Sequence, residues 1–365
     1  MIKDVTRFVP PYILSRCAYS PGYQPANHKD LIKLNTNENP FPPSPTVSDA
    51  VQNEISNLHL YPEPYSQKLR DLIASKHSLS EEQVIIGNGS DDLLNLCVRA
   101  FADTNRMVGM LEPSYSLYPT LTSLQRSKVS KVEFLNDEFK LPVEEITKSG
   151  VNLFFLTNPH APSGRYFDQE SVFSIASEIN AILVVDEAYA DFSIENSIPL
   201  LDKANNLVIT RTLSKSYSLA GSRVGFAISS PEIISILDSV REVYNLDRMS
   251  QAAAFAALSD VHYFEDCRRK ILEEREKAYT FFTQLGWRTI ESHANFILTE
   301  PINATGQVGK ESASSLFNYL EKNNIHVRYF DNHRLTESKI RISIGTERQM
   351  NVLYQTINKW CNEES

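Results

Sequence analysis

The sequence predicts an α/β fold, a mostly parallel sheet flanked by helices with a smaller α+β lobe appended, and three observations carry that prediction. From Val84 onward, short apolar runs at 84–87, 107–111, 151–157, 181–185, 207–210 and 224–228 are each followed by a polar turn and a helix-length amphipathic stretch. Strand alternating with helix is the pattern of a parallel sheet. Second, the stretches Asn152-Leu-Phe-Phe-Leu156 and Ala181-Ile-Leu-Val-Val185 are continuous rather than alternating, as strands covered on both faces should be. Third, the chain has 365 residues, and at roughly 150 residues per domain that leaves room for a second lobe.

In chain order, residues 1–44 are rich in Pro and polar groups (Pro10-Pro11, Pro21-Gly22, Asn37-Glu38-Asn39-Pro40) and read as an arm belonging in part to the small lobe. Residues 45–245 form the large domain and 246–365 the small one. In the small domain, Ile271, Leu272, Ala278, Tyr279, Phe282 and Leu285 recur on one helical face before Gly286 supplies a left-handed stop. Asn295 to Thr299 reads as a strand and Lys310 to Asn323 as a helix. Val327 to Phe330 and Lys339 to Ile344 read as strands, and Thr346 with Gln349 as the capping box of a last helix.

Composition narrows the function classes. Apolar residues make up 42% and charged residues 22% of the chain, which excludes a disordered or low-complexity protein. With 36 basic against 45 acidic residues the net charge is −9, so no overall positive field favours nucleic acid or an anionic membrane as a partner. No apolar run approaches the roughly 18 residues of a spanning helix. Lys3, Asp4 and Arg7 stand where an export signal would be apolar, so a cytoplasmic protein is expected. Cys17, Cys97, Cys267 and Cys361 are spaced too widely for a zinc site or a disulfide framework and are expected to be reduced.

Ligands of an open parallel sheet bind where the carboxyl ends of its strands share an edge. The runs deliver there Gly87-Asn-Gly89-Ser90-Asp91-Asp92, Glu112-Pro-Ser-Tyr115, Thr157-Asn158-Pro159, Asp186-Glu-Ala-Tyr189 and Ser214-Lys215. Singly, each has an ordinary structural reading: a helix-starting turn, a packed tyrosine, an Asn-Pro turn, a cap or a solvated charge. Together they bring an anion cradle at a helix start, an aromatic face, an amide, a carboxylate and an amine to one edge. That set suits a planar cationic heteroaromatic carrying a phosphate, and pyridoxal phosphate is such a molecule. Its aldehyde needs an amine (Lys215), its ring nitrogen a carboxylate (Asp186), its ring an aromatic neighbour (Tyr115), and its phosphate the turn at Gly89 with a cation, Arg223.

On these stretches, with Lys33-Leu-Asn-Thr-Asn-Glu-Asn-Pro40, Thr212-Leu-Ser-Lys215 through Gly225, Val327-Arg-Tyr-Phe330 and Arg341-Ile-Ser-Ile-Gly345, the chain resembles the class I/II, fold type I aminotransferases. Within them it is most similar to those acting on histidinol phosphate, and the match runs nearly the whole length. The resemblance implies a mostly parallel seven-stranded sheet between helices plus a smaller α+β domain. It makes Lys215 the Schiff-base lysine and proton carrier and Asp186 the partner of the ring nitrogen. Tyr189 and Asn158 would bond the ring oxygen, and Tyr115 would stack on the ring. Gly89, Ser90, Asp91, Thr212, Ser214 and Arg223 would hold the phosphate. Tyr61 would reach the cofactor of a neighbouring subunit, which implies a homodimer with shared sites. For the substrates, small amino acids and 2-oxo acids, Arg341 would clamp a carboxylate and Asn37 would lie across the site. Tyr19 and Arg328 would bind the distal phosphate of histidinol phosphate.

Three departures from the family pattern stand out: His160 and Ala161 where Asn residues are usual, expected to alter the rim of the site; His333 where Pro is usual, expected to affect loop stiffness; and a polar surface insertion over 303–311. The expected reaction is amino transfer between histidinol phosphate and 2-oxoglutarate. An aromatic amino acid aminotransferase, a lyase resembling threonine-phosphate decarboxylase, and a non-catalytic binding module on the same scaffold remain as alternatives.

Overall fold

All six apolar runs between residues 84 and 228 are strands in a computed structural model that describes residues 4–14, 23–24 and 31–363. In chain order the strands are β1 (Ile32–Lys33), β2 (Val84–Gly87), β3 (Met107–Glu112), β4 (Lys128–Glu133), β5 (Leu153–Thr157), β6 (Ile182–Asp186), β7 (Leu207–Thr212) and β8 (Gly225–Ile228), followed by β9 (Arg288–Ile290), β10 (Phe296–Glu300), β11 (Ile325–His326), β12 (Arg328–Tyr329) and β13 (Ile340–Ser343).

The large sheet has seven strands in the order β2-β8-β7-β6-β5-β3-β4. Strands β3 to β7 pair in parallel, and β8 runs antiparallel to both β7 and β2. Successive side chains of a strand face opposite ways, and here both faces are covered. Phe154, Leu156, Leu183, Val185, Leu207 and Ile209 fill one core, while Leu153, Phe155, Val184 and Val208 fill the other. Double burial is the physical reason these segments read as unbroken apolar runs.

One strand of this sheet escapes that reasoning. β4 is an edge strand with Lys128, Val129, Lys131 and Glu133 exposed and only Val132 buried. Charged residues there discourage pairing with another chain and also hide the strand from a search for apolar runs.

The small lobe carries the antiparallel order β12-β13-β10-β9, packed through Phe282, Trp287, Phe296, Ile342, Leu353 and Trp360. Its long helix Val261–Gln284 stops before Gly286 at φ +78. The capping box of the helix Glu347–Glu363 is present, with Thr346 N donating to Gln349 Oε1 at 2.8 Å and Gln349 N to Thr346 Oγ1 at 3.4 Å. The predicted strand 327–330 is shortened to Arg328–Tyr329, and a separate two-residue strand precedes it. Ile325–His326 pairs in parallel with β1 of the arm, and Arg328–Tyr329 with β13. The polar stretch after β10 forms an exposed turn in which Asn303 Oδ1 accepts from Thr305 N and Gln307 N.

The core itself runs past residue 245. The helix Arg248–Ser259 places Ala253, Ala254, Ala257 and Leu258 in the same cluster as Val47, Leu69 and Ile73 of the large unit. Of the cysteines, Cys97 and Cys267 are buried and Cys361 half-buried. No helix among the described residues is long and apolar enough to cross a membrane.

Candidate active site

The carboxyl ends of β2, β3, β5, β6 and β7 open onto one cavity of about 650 Å³, closed on the other side by the small-lobe sheet and by residues 35–37 of the arm. Lys215 and Asp186 both line it. Lys215 follows β7 by three residues, and its Nζ donates to the carbonyl of Thr36 at 3.1 Å. Asp186 is the last residue of β6 and only 3% exposed. Its carboxylate accepts from Tyr118 Oη at 2.7 Å and from the Ala188 N–H at 3.3 Å. Burial disfavours the charged form more than these donors favour it, so the Asp186 pKa is pushed up to about 6. A nearby cation would restore the charge.

Ser90 and Asp91, which start the helix after the turn at Gly89, line one end of the cavity. Gly89 precedes the helix Ser90–Phe101 with φ +83, and a Cβ there would fall 2.6 Å from Arg223 Nη2. Glycine therefore serves the turn twice, by its left-handed backbone and by admitting the guanidinium. Gly225 performs a matching role from β8, since a Cβ would lie 2.6 Å from both Gly89 C and Ser90 N. Thr212 Oγ1 donates to Ser214 Oγ at 2.9 Å, and Arg223 Nη1 donates to the same oxygen at 3.3 Å. Arg223 Nη2 also reaches Asp91 Oδ2 at 3.2 Å, and Asp91 Oδ1 accepts from Tyr115 Oη at 3.2 Å. Helix N–H groups, two hydroxyls and a guanidinium thus converge at one end of the cavity.

Opposite the cradle stand Arg328 and Arg341, directly facing each other in the β12–β13 register, and both line the cavity. Arg341 Nη2 donates to the carbonyl of Asn35 at 3.0 Å. Asn37 has φ +56, a conformation asparagine tolerates better than most residues, and its position is held from two sides. Its N–H donates to Ser343 Oγ at 2.9 Å and its carbonyl accepts from Asn295 Nδ2 at 3.0 Å. Its side-chain amide then donates to Tyr189 Oη at 2.9 Å.

Other expected residues stand apart. Asn158 is buried next to the lining residue Thr157 but does not itself line the cavity; Phe167 N donates to its Oδ1 at 2.9 Å and its Nδ2 donates to Phe167 O at 2.8 Å, which leaves the second amide hydrogen. Tyr61 is 76% exposed, away from its own chain's cavity, and stacks on Tyr244 at 4.5 Å. Tyr19 lies outside the described residues.

Two of the sequence departures land differently from expectation. Ala161 does line the cavity, but His160 is fully buried rather than at the rim. Its Nδ1 meets Ser163 Oγ at 2.7 Å, its Nε2 meets Pro113 O at 2.9 Å, and the ring packs edge-on against Phe134 at 4.7 Å. Burial drives its pKa down to about 3, so it is a neutral packing residue. His333 lines the cavity instead of merely stiffening a loop. The Leu335 N–H donates to its Nδ1 at 3.1 Å, and its Nε2 lies 3.5 Å from Glu133 Oε2.

Four lining or supporting residues are not singled out in the sequence, although Thr36 and Phe330 fall within stretches that carry the resemblance. Tyr118 is fully buried under Asp186, and Thr157 Oγ1 is 2.6 Å from its hydroxyl. Only its spacing of three from Tyr115, one turn of helix, hints at a shared site. Thr36, Phe330 and Lys131 reach the cavity from the arm, the small lobe and the sheet edge.

A cavity with an amine, a buried carboxylate, an anion cradle and two further guanidinium groups is built for small anionic molecules and for chemistry at an amino group. That class of enzyme agrees with the comparisons: the chain belongs to the aminotransferases of class I and II, whose family model matches residues 29–357. It is 42% identical to the histidinol-phosphate aminotransferase of Syntrophotalea carbinolica, covering 93% of this chain and 95% of that one. The corresponding protein of Microcystis aeruginosa is 39% identical, covering 94% and 95%. In fold, the chain matches the crystal structure of histidinol-phosphate aminotransferase from Sinorhizobium meliloti in complex with pyridoxal-5'-phosphate, with a TM-score of 0.89 at 24% identity over the whole of both chains.

Proposed function

We propose that this aminotransferase binds pyridoxal phosphate and moves an amino group between L-histidinol phosphate and 2-oxoglutarate, in the cytoplasm, as a step of histidine biosynthesis. The observation that carries the reading is the meeting of Lys215 and Asp186 in one cavity, with an anion cradle at one end and two arginines at the other. The residues present fit the cofactor. The cradle offers N–H, hydroxyl and guanidinium donors to a phosphate, and a buried carboxylate raised to about 6 is one that a protonated ring nitrogen would hold in its charged form.

When bound, the cofactor supplies an aldehyde for an amine to condense with and a ring that withdraws electrons from the substrate carbon. The protein does the rest. Asp186 keeps the ring nitrogen protonated, and Tyr118 and the Ala188 N–H fix the carboxylate that does so. Lys215, once its amine is free, takes a proton from one atom and returns it to another, and the Thr36 carbonyl gives its Nζ a defined resting place. Tyr189, and Asn158 through the amide hydrogen that Phe167 leaves it, would bond the ring oxygen, and Tyr115 would flank the ring. Arg341 takes the carboxylate of glutamate or 2-oxoglutarate, a task suited to its planar fork. Arg328 takes the second anionic group, carboxylate or phosphate.

The working form proposed is a homodimer in which Tyr61 reaches the partner's cofactor. The exposed Ile55, Leu58, Leu60, Tyr65 and Val243 near it support a covered surface there. Initial rates with histidinol phosphate and with phenylalanine as donors, each with 2-oxoglutarate, test the reading. We expect histidinol phosphate to be strongly preferred, and Arg328→Ala to impair it more than phenylalanine. Preference for phenylalanine, or carbon dioxide release without an oxo acid, would overturn the assignment.

A further inference from the structure

We propose that Phe330 is a positioning residue for substrate anions, its ring restraining both Arg328 and Arg341 so that the two guanidinium groups can act together on a doubly charged ligand. The inference rests on the roles given to those arginines above. Arg328 and Arg341 face each other across antiparallel strands, a placement in which like charges repel. Both guanidinium carbons lie 5.2 Å from the centroid of the one Phe330 ring, within the range where a cation is attracted to the ring's negative face. Phe330 follows β12 directly and lines the same cavity.

The choice of partner matters chemically. A carboxylate in this place would neutralise an arginine before the substrate arrived, and substrate would have to displace it. A phenyl ring restrains the guanidinium without itself neutralising its charge. The two arginines do not depend on the ring equally. Arg341 also lies 5.2 Å from the Phe296 ring and donates to Asn35 O. Loss of the Phe330 ring should therefore be felt most by ligands that use Arg328, those with a second anionic group.

Equilibrium binding of two non-reacting probes, followed through the visible band of the holoenzyme, tests the proposal: succinate, with two carboxylates, and 3-phenylpropionate, with one. A partly desolvated cation–ring contact corresponds to about fivefold in affinity. Phe330→Leu should weaken succinate by roughly tenfold to twentyfold and 3-phenylpropionate by about fivefold or less, while Phe330→Tyr should restore both to within about threefold of the original. Mono-, di- and trifluorinated phenylalanine at position 330 keep nearly the same shape while draining the ring face of charge. Affinity for succinate should fall stepwise along that series. A flat series, or equal losses for both probes, would overturn the proposal even if Phe330→Leu folded poorly. Arg328→Ala separates this failure from that of the functional reading. If it leaves succinate affinity unchanged, the role of Arg328 itself is wrong. If it weakens succinate while the fluorinated series stays flat, only the role of Phe330 falls.

Discussion

Replacing Asp186 by Asn should make the cofactor-free protein more stable at neutral pH while destroying its chemistry. The carboxyl is 3% exposed, and burial lifts its pKa from 3.8 to about 6. Between those two values the folded chain holds more protons than the unfolded chain, so folding stability falls as the pH rises through that window. Above about 6 both states carry the charge and the loss is complete. A shift of about two units corresponds to roughly 3 kcal/mol at most. Asn keeps one oxygen for the Ala188 N–H and turns its NH2 to the Tyr118 hydroxyl, which can accept while bonding Thr157, and it carries no charge, so it should recover about 1–3 kcal/mol above pH 7 and nothing at pH 4. Urea unfolding of the cofactor-free wild type and Asp186→Asn at intervals from pH 4 to 8 reads this directly. Turnover of the cofactor-loaded variant should drop by on the order of a hundredfold or more, because an amide cannot hold the ring proton. A stability difference independent of pH, or a wild type that gains on the variant as the pH rises, would refute the reasoning.

Tyr118→Phe removes a 2.7 Å donor from the buried carboxylate, and a hydrogen bond to a charged group contributes about 1.5–3 kcal/mol. The Asp186 pKa should rise further, moving the acid limb of the kcat/KM profile up by about one unit; an unmoved profile would count against the assigned contact. Gly225→Ala places a methyl 2.6 Å from the backbone of Gly89 and Ser90, atoms that cannot swing aside. It should cost about 1–3 kcal/mol of stability and weaken phosphate-dependent cofactor binding; equilibrium dialysis of pyridoxal phosphate against pyridoxal separates the two effects. Arg341→Ala should raise KM for glutamate and 2-oxoglutarate with a smaller change in kcat, as measured in steady-state rates at saturating cofactor.

The parts of the site legible in the sequence are those whose chemistry and position coincide. Parallel strands buried on both faces must be apolar, so Leu153–Thr157 and Ile182–Asp186 mark themselves, and the first polar residues after them fall on the ligand edge. Depth is a different matter. His160 occupies a motif position near the cavity, yet only packing against Phe134 and the carbonyl of Pro113 shows it to be a core residue. β4 was hidden because an edge strand is selected to be charged, and β1 and β11 because two residues carry no period. Tyr118 was missed because a tyrosine inside a helix reads as packing until its hydroxyl is seen under Asp186. The support of Asn37 by Ser343 spans 306 positions, a contact only the folded chain creates.

The ε-amine of Lys215 is proposed to bond the cofactor's aldehyde in the cavity it shares with Asp186, whose carboxylate would keep the ring protonated. Borohydride reduction of the holoenzyme, followed by proteolysis and mass spectrometry, tests it most directly. The visible band should be lost and a phosphopyridoxyl group should sit on the peptide containing Lys215, with no such adduct in Lys215→Ala. A modified lysine elsewhere, or a variant that still forms the adduct, would contradict it.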